Sequence, residues 1–267
     1  MNVLPIVKQK QILQLLVEGN SLRSISRIID CSINTVFKLL VEVGKGCLKY
    51  QDEIFHNLNC KYIQVDEMWD FCYAKQKNVE KAKRPPKEAG NIWTWIAIDT
   101  ETKLVPSWLV GKRDASYAYK FIKDVANRLA HKIQLTSDGW KPYIEAVEDA
   151  FGNDIDYGML VKIYDQNQRY TGCELKRITG SPNNKRISTS IVERNNLTLR
   201  MHMRRYTRKT NGFSKKLENH KYALALNFMS YNFGRIHSTI KVTPAMEAGI
   251  SNHIWEIEEI LALRIDR

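Results

Sequence analysis

Three acidic residues stand where their neighbours point to chemistry. Asp66 lies in KYIQVDEMWDF, flanked by Ile63 and Val65, in a run of β-formers where Asp is disfavoured. Asp138 follows the strand-forming run KIQLT, in Ser137-Asp138-Gly139. Glu193 lies near the start of a helix-forming stretch, STSIVERNNLTLR. From Arg169 to Lys216 there are thirteen Lys or Arg, and Glu193 and Glu174 are the two acids among them. Singly, each has an ordinary reading: a strand Asp facing solvent, an Asp-Gly turn, a Glu favoured by a helix dipole. Converged in one place, three carboxylates would repel and raise one another's pKa values unless a cation neutralised them. Hard oxygen ligands suit Mg²⁺ or Mn²⁺. Two such ions, about 3.5–4 Å apart, would activate a water or 3′-hydroxyl and stabilise the leaving oxygen of a phosphodiester. Asn196 and Arg200, three and seven residues beyond Glu193, share its helix face and extend the site towards phosphate. Arg204, Arg205, Arg208 and Lys209 continue the positive path on a helix read to run on through that stretch. Glu67 and Asp70 are the acids that a register error would exchange for Asp66.

For these residues to meet, particular elements must carry them. The alternating segment from Lys61 is a predicted strand holding Asp66. A basic, Pro-containing loop, KQKNVEKAKRPPKEAGN, leads to a second strand, WTWIAIDT, and after the turn ETK to a third, LVPSWLVG. These three read as an antiparallel meander. Ala118, Phe121, Ile122, Val125 and Leu129 fall at helical spacing. KIQLT is a fourth strand ending at Asp138, YIEAVEDAF a helix and MLVKIYD a fifth strand; the polar stretch after it precedes the helix of Glu193. Three strands, helix, strand, helix, strand, helix is a ribonuclease-H-like order, an α/β fold with a mixed sheet. In it the first and fourth strands are neighbours.

Ahead of this core, residues 1–46 read as three short helices. Gly19-Asn20 ends the first, Ser21 caps the second, and Asp30-Cys31-Ser32 breaks before the third. That pattern is a helix-turn-helix, with Asn34, Thr35 and Lys38 off the apolar stripe and free to reach bases or phosphates in a major groove. Residues 47–60 read as a linker, 61–216 as the catalytic domain, and 217–267 as a helical C-terminal region. The net charge of +12 fits a polyanionic partner, double-stranded DNA. Five widely spaced cysteines support neither a disulfide framework nor a zinc module. With no signal architecture and no long apolar run, the expectation is a cytoplasmic protein.

The blocks VDEMWDFCYAKQKN, AIDTETKLVPSWLVGKRD, LTSDGWKPYIEAVE, STSIVERNNLTLRMHMRRYTRKTNGFSKK and YNFGRIHSTIKVTPAMEAG resemble the Insertion Sequence 1 family of transposases. The resemblance implies DDE chemistry with Mg²⁺, an assembled pair of transposon ends (terminal inverted repeats), and hence at least a homodimer. By motif position, it makes Asp66 the first aspartate, Asp138 the second, Glu193 the catalytic glutamate and Arg200 the basic residue that follows it. The zinc element of some members has no cysteines to form it here. Two other readings compete: a ribonuclease-H-like nuclease or junction resolvase that does not join strands, and a non-catalytic DNA-binding repressor. Arg235 and His237 are open between DNA contact and a packing or capping role.

Overall fold

The computed structural model describes residues 4–265. Its helices are α1 (Ile6–Val17), α2 (Leu22–Ile29), α3 (Ile33–Ile54), α4 (Gln76–Val79), α5 (Ala115–Arg128), α6 (Pro142–Phe151), α7 (Ser190–His202), α8 (Leu217–Met229), α9 (Pro244–Glu247) and α10 (Ile257–Ala262). The strands are β1 (Tyr62–Cys72), β2 (Gly90–Asp99), β3 (Ser107–Gly111), β4 (Gln134–Asp138), β5 (Asp156–Tyr164) and β6 (Tyr170–Thr179). They form one sheet in the order β3-β2-β1-β4-β5-β6. β1 pairs parallel to β4 and β4 parallel to β5, whereas β2–β3 and β5–β6 are antiparallel. This is a ribonuclease-H-like mixed α/β sheet, as the element order predicts. A parallel pair cannot be closed by a tight turn, so β2, β3 and α5 together form the connection from β1 to β4.

β6 was not foreseen; its segment reads as a polar stretch. Nearly all of it is exposed, so neither face carries the apolar alternation that marks a half-buried strand. Its pairing with β5 supplies the regularity instead.

The chain divides into two compact units. One comprises Phe55–Trp69 and Ile92–Asn196. In it α5 is capped by Asp114, whose carboxylate accepts the Tyr117 N–H at 3.1 Å, and α6 has Pro142 in its first turn. Trp95 lies with its ring 5.8 Å from Phe121 and 5.9 Å from Tyr143, all three fully buried. Each such burial contributes on the order of 2 kcal/mol.

The other unit comprises the described parts of Met1–Ile54, Asp70–Asn91 and Leu197–Arg267. α2 and α3 are joined by a tight turn, and at the start of α2 Ser21 Oγ accepts the Ser24 N–H at 3.1 Å. Asp30 takes the left-handed conformation (φ 52°, ψ 63°) that closes the turn, a role Asp tolerates better than most residues. Two expectations are corrected. Residues 47–54 are not linker, because α3 continues unbroken to Ile54. The first three helices are not a free-standing domain either, because they cluster with the C-terminal helices. The cause lies in Gly44 and Gly46, which act here as contact points and not as helix breaks. A Cβ at Gly44 would stand 2.6 Å from the Tyr222 Cβ, and one at Gly46 would stand 1.7 Å from the Leu263 carbonyl oxygen. Glu42, buried, pairs with Arg264 at 3.0 Å. Among the described residues no helix is long and apolar enough to cross a membrane.

Gly46→Val is therefore expected to lower the unfolding free energy by about 1–3 kcal/mol, the usual cost of overpacking. Chemical denaturation should show it, and an unchanged midpoint would disprove the close approach.

Candidate active site

The β1–β4 register sets Tyr62 opposite Gln134 and Gln64 opposite Thr136. Carried two residues further, it brings Asp66 level with Asp138, the last residue of β4. Both carboxylates are half-buried. Gln64 and Asp66 share a strand face, and both engage α7. The buried Gln64 Oε1 accepts the backbone N–H groups of Ile191 (2.9 Å) and Val192 (3.1 Å), two of the donors that a helix start leaves without intrahelical partners. Further along the same helix, Asn196 Nδ2 donates to Asp66 Oδ2 at 2.8 Å. Glu193, in the first turn, lies between these two anchor points.

Burial pushes the Asp66 pKa up to about 7, aided by the charges of Glu67, Asp138 and, least, Glu193. Glu193 behaves oppositely. Burial pushes its pKa up too, but hydrogen bonds from Lys162 and Thr189 and the Lys162 charge outweigh it, leaving the group below its ordinary value. Lys162 Nζ lies 2.6 Å and Thr189 Oγ1 2.7 Å from the same oxygen, Oε1. The structure thus sets Asp66 beside Asp138 and couples Glu193 to Asp66 through charge, with the glutamate side chain held by Lys162. Among the described residues, no three His, Cys, Asp or Glu side chains are gathered tightly enough to hold one ion as they stand. The donor chemistry nonetheless fits a hard divalent cation. The donors are carboxylate oxygens, the charges of Asp138 and Glu193 helping to raise the Asp66 pKa, joined by the Asn196 Oδ1, buried and without a hydrogen-bond partner.

Several supporting residues carried no distinguishing signal in the sequence. Glu67, one residue from Asp66 and therefore on the opposite face, is buried. It accepts hydrogen bonds from Arg113 Nε and, at 2.8 Å, from the Tyr143 hydroxyl. Burial and the Asp138 charge push its pKa up against these donors. Arg113 Nη2 also lies 3.8 Å from Asp138 Oδ2, and its guanidinium stacks 5.1 Å from the Trp93 ring and 4.7 Å from Trp140. The Trp140 N–H donates to Asp138 Oδ1 at 3.0 Å. One arginine, fixed by two indoles, therefore ties Glu67 to Asp138. Gln64, Arg113, Tyr143 and Lys162 became visible only once the chain was folded, because their partners lie 31 to 128 residues away.

The residues expected to meet DNA have mixed settings. Asn34 and Lys38 are exposed and Thr35 half-buried, with Lys38 3.6 Å from Glu42. α7 ends at His202, not beyond Lys209 as read from the sequence, and Arg204–Tyr206 form a short 3₁₀ turn. Arg204, Arg208 and Lys209 are exposed. Arg205 does not continue the positive path: it turns inward, donating to Ser214 Oγ at 2.7 Å, and burial lowers its pKa to about 10. Arg200 is half-buried, its pKa lowered by burial and by the Arg208 charge against the attraction of Asp70. Asp70 is itself buried, which pushes its pKa up to about 7.

A sheet of this order, with carboxylates level on its central parallel strands, defines the ribonuclease-H-like class to which DDE transposase cores belong. Residues 176–233, which carry Glu193 and its helix, match the family model described as IS1 transposase, the family that the sequence blocks resemble. No curated protein matches the chain. Among solved structures, it is similar to a chain of the simian T-cell lymphotropic virus intasome in complex with PP2A regulatory subunit B56 gamma. There the TM-score is 0.44 and the identity 15%, over 73% of this chain and 56% of that one. It is also similar to the piggyBac transposase in a synaptic complex with hairpin DNA (TM-score 0.42, 9% identity, 95% and 68% covered). A third likeness is to the Mos1 strand transfer complex (0.27, 11%, 85% and 78%). The chain spans 56% of the length of the intasome chain. These likenesses are low, and the fold assignment rests on the strand order itself.

Asp66 and Asp70, at about 7 when folded and 3.8 as free groups, bind protons more tightly in the folded chain. Their stabilising contribution is full below about pH 4 and is lost as pH rises through about 7. With chelator present, these two groups should make the protein melt at a lower temperature at pH 8 than at pH 6. Asp66→Asn should flatten part of that slope, and Mg²⁺ should restore stability at pH 8. A thermal profile in which Asp66→Asn leaves the slope intact would refute the assignment.

Proposed function

We propose that this chain is a DNA transposase that cuts DNA at insertion-sequence ends and joins them to target DNA, with divalent metal at Asp66, Asp138 and Glu193. The observation that carries the reading is the level placement of Asp66 and Asp138 on adjacent parallel strands, beside the family-matching helix of Glu193. Mg²⁺ or Mn²⁺, as two ions, supplies charge neutralisation and activation of the attacking water or 3′-hydroxyl. Asn196 orients Asp66, and Arg113 with the Trp140 N–H fixes Asp138. Tyr143 and Arg113 keep Glu67 engaged on the opposite face, so it does not compete as a ligand.

The partner is double-stranded DNA: terminal inverted repeats, then target. Residues Asn34, Thr35 and Lys38 of the helix-turn-helix contribute to recognising the ends, and Arg200, Arg204, Arg208 and Lys209 contribute phosphate contacts. Two ends must be brought together, so the working form is at least a homodimer.

Asp66→Ala, Asp138→Ala and Glu193→Ala should each cut strand cleavage by at least about 100-fold while DNA binding persists. A pre-cleaved end offered to the wild-type protein should yield joined product in Mg²⁺. Cleavage without joining would mark a nuclease or resolvase, and cleavage indifferent to all three substitutions would sink the site assignment.

A further inference from the structure

Lys162 stands in β5, two residues beyond Leu160, which pairs with Asp138. By strand alternation, Leu160 and Lys162 lie on the same face. Its ammonium is within hydrogen-bond reach of Glu193 at 2.6 Å and also feels the charge of Asp66. A single positive charge thus sits among the carboxylates that a divalent cation would neutralise. The contact is charge-assisted and short. Yet both side chains are substantially exposed, at 37% and 43%, so it is screened by water and readily exchanged. Thr189 donates to the same Glu193 oxygen, so the glutamate keeps a hydrogen bond when the ammonium leaves. Across the β5–β6 pair Lys162 faces Cys173, and Tyr164 and Tyr170 also lie within its electrostatic reach. None of these holds it as tightly as Glu193.

We propose that Lys162 is a placeholder cation and a further DNA-positioning residue of the site. In the metal-free protein it occupies the place of positive charge at Glu193. When metal and DNA arrive it gives up the glutamate and takes a phosphate oxygen of the strand being processed. The inference rests on the transposase reading and deepens it. A lysine suits this exchange because its ammonium is a compact charge on a flexible four-carbon stem. The ion pair keeps the acidic cluster from standing uncompensated before metal binds, and it prevents Glu193 from closing on an ion too early.

The test uses the full-length protein with Mn²⁺ alone, then with a duplex carrying a transposon end in Ca²⁺. Mn²⁺ affinity is measured by calorimetry for wild type, Lys162→Met, Lys162→Gln and Asp66→Asn. Both Lys162 variants should bind Mn²⁺ roughly two- to fivefold more tightly, the modest worth of an exposed pair. The slope of log DNA affinity against log salt should fall by about 0.9, one phosphate contact. Unchanged or weaker Mn²⁺ binding in both variants, or an unaltered salt slope, would overturn the proposal while leaving the carboxylate site standing. Asp66→Asn binding Mn²⁺ as wild type does would instead overturn the site, and this inference with it.

Discussion

The parallel pairing of β1 with β4 is the constraint on which the site depends. It places two aspartates level with each other although 72 residues separate them in the chain, and it does so against their mutual repulsion. The fold supplies polar partners around them: the Arg113 guanidinium beside Asp138, the neutral Asn196 amide on Asp66 and the Lys162 ammonium on Glu193. The divalent cation proposed above would supply the remaining neutralisation.

The helix of Glu193 owes its placement to β1 more than to its own sequence. Its propensity to form a helix is ordinary, but its first turn is bonded to a glutamine side chain two residues before Asp66. Asn196 then repeats the attachment from the helix side. Two successive same-face positions of one strand, Gln64 and Asp66, are therefore bonded to the first turns of one helix. Displacing the helix would break bonds to β1 at two points at once.

Much of this was legible in the sequence. The period-2 run around Asp66, the strand-to-turn step at Asp138 and the solitary glutamate in a basic helix each showed a residue out of keeping with its setting, and the element order placed the two aspartates on neighbouring strands. The helix caps at Ser21 and Asp30 were legible for the same local reason. What was not legible depends on partners far away in the chain. β6 carries no alternation because both its faces are wet. Arg113 looks like any basic residue after a strand until two tryptophans and two carboxylates surround it. The third helix was read to end by residue 46, and only the approach of Tyr222 and Leu263 to Gly44 and Gly46 reveals that stretch as a packed helix face. Arg205 looked like its exposed neighbours until Ser214 took it inward.

The bare-backbone contacts at Gly44 and Gly46 also govern the order in which the molecule can be built. The third helix meets its covering partners only when Tyr222 and Leu263 are present, and Glu42 waits for Arg264. During synthesis the front of the chain therefore emerges with an unmatched apolar flank and with Lys38 alone beside the Glu42 carboxylate. The first three helices reach their finished packing only after Leu263 has been synthesised. A chain terminated before Tyr222 would leave that flank of the third helix uncovered.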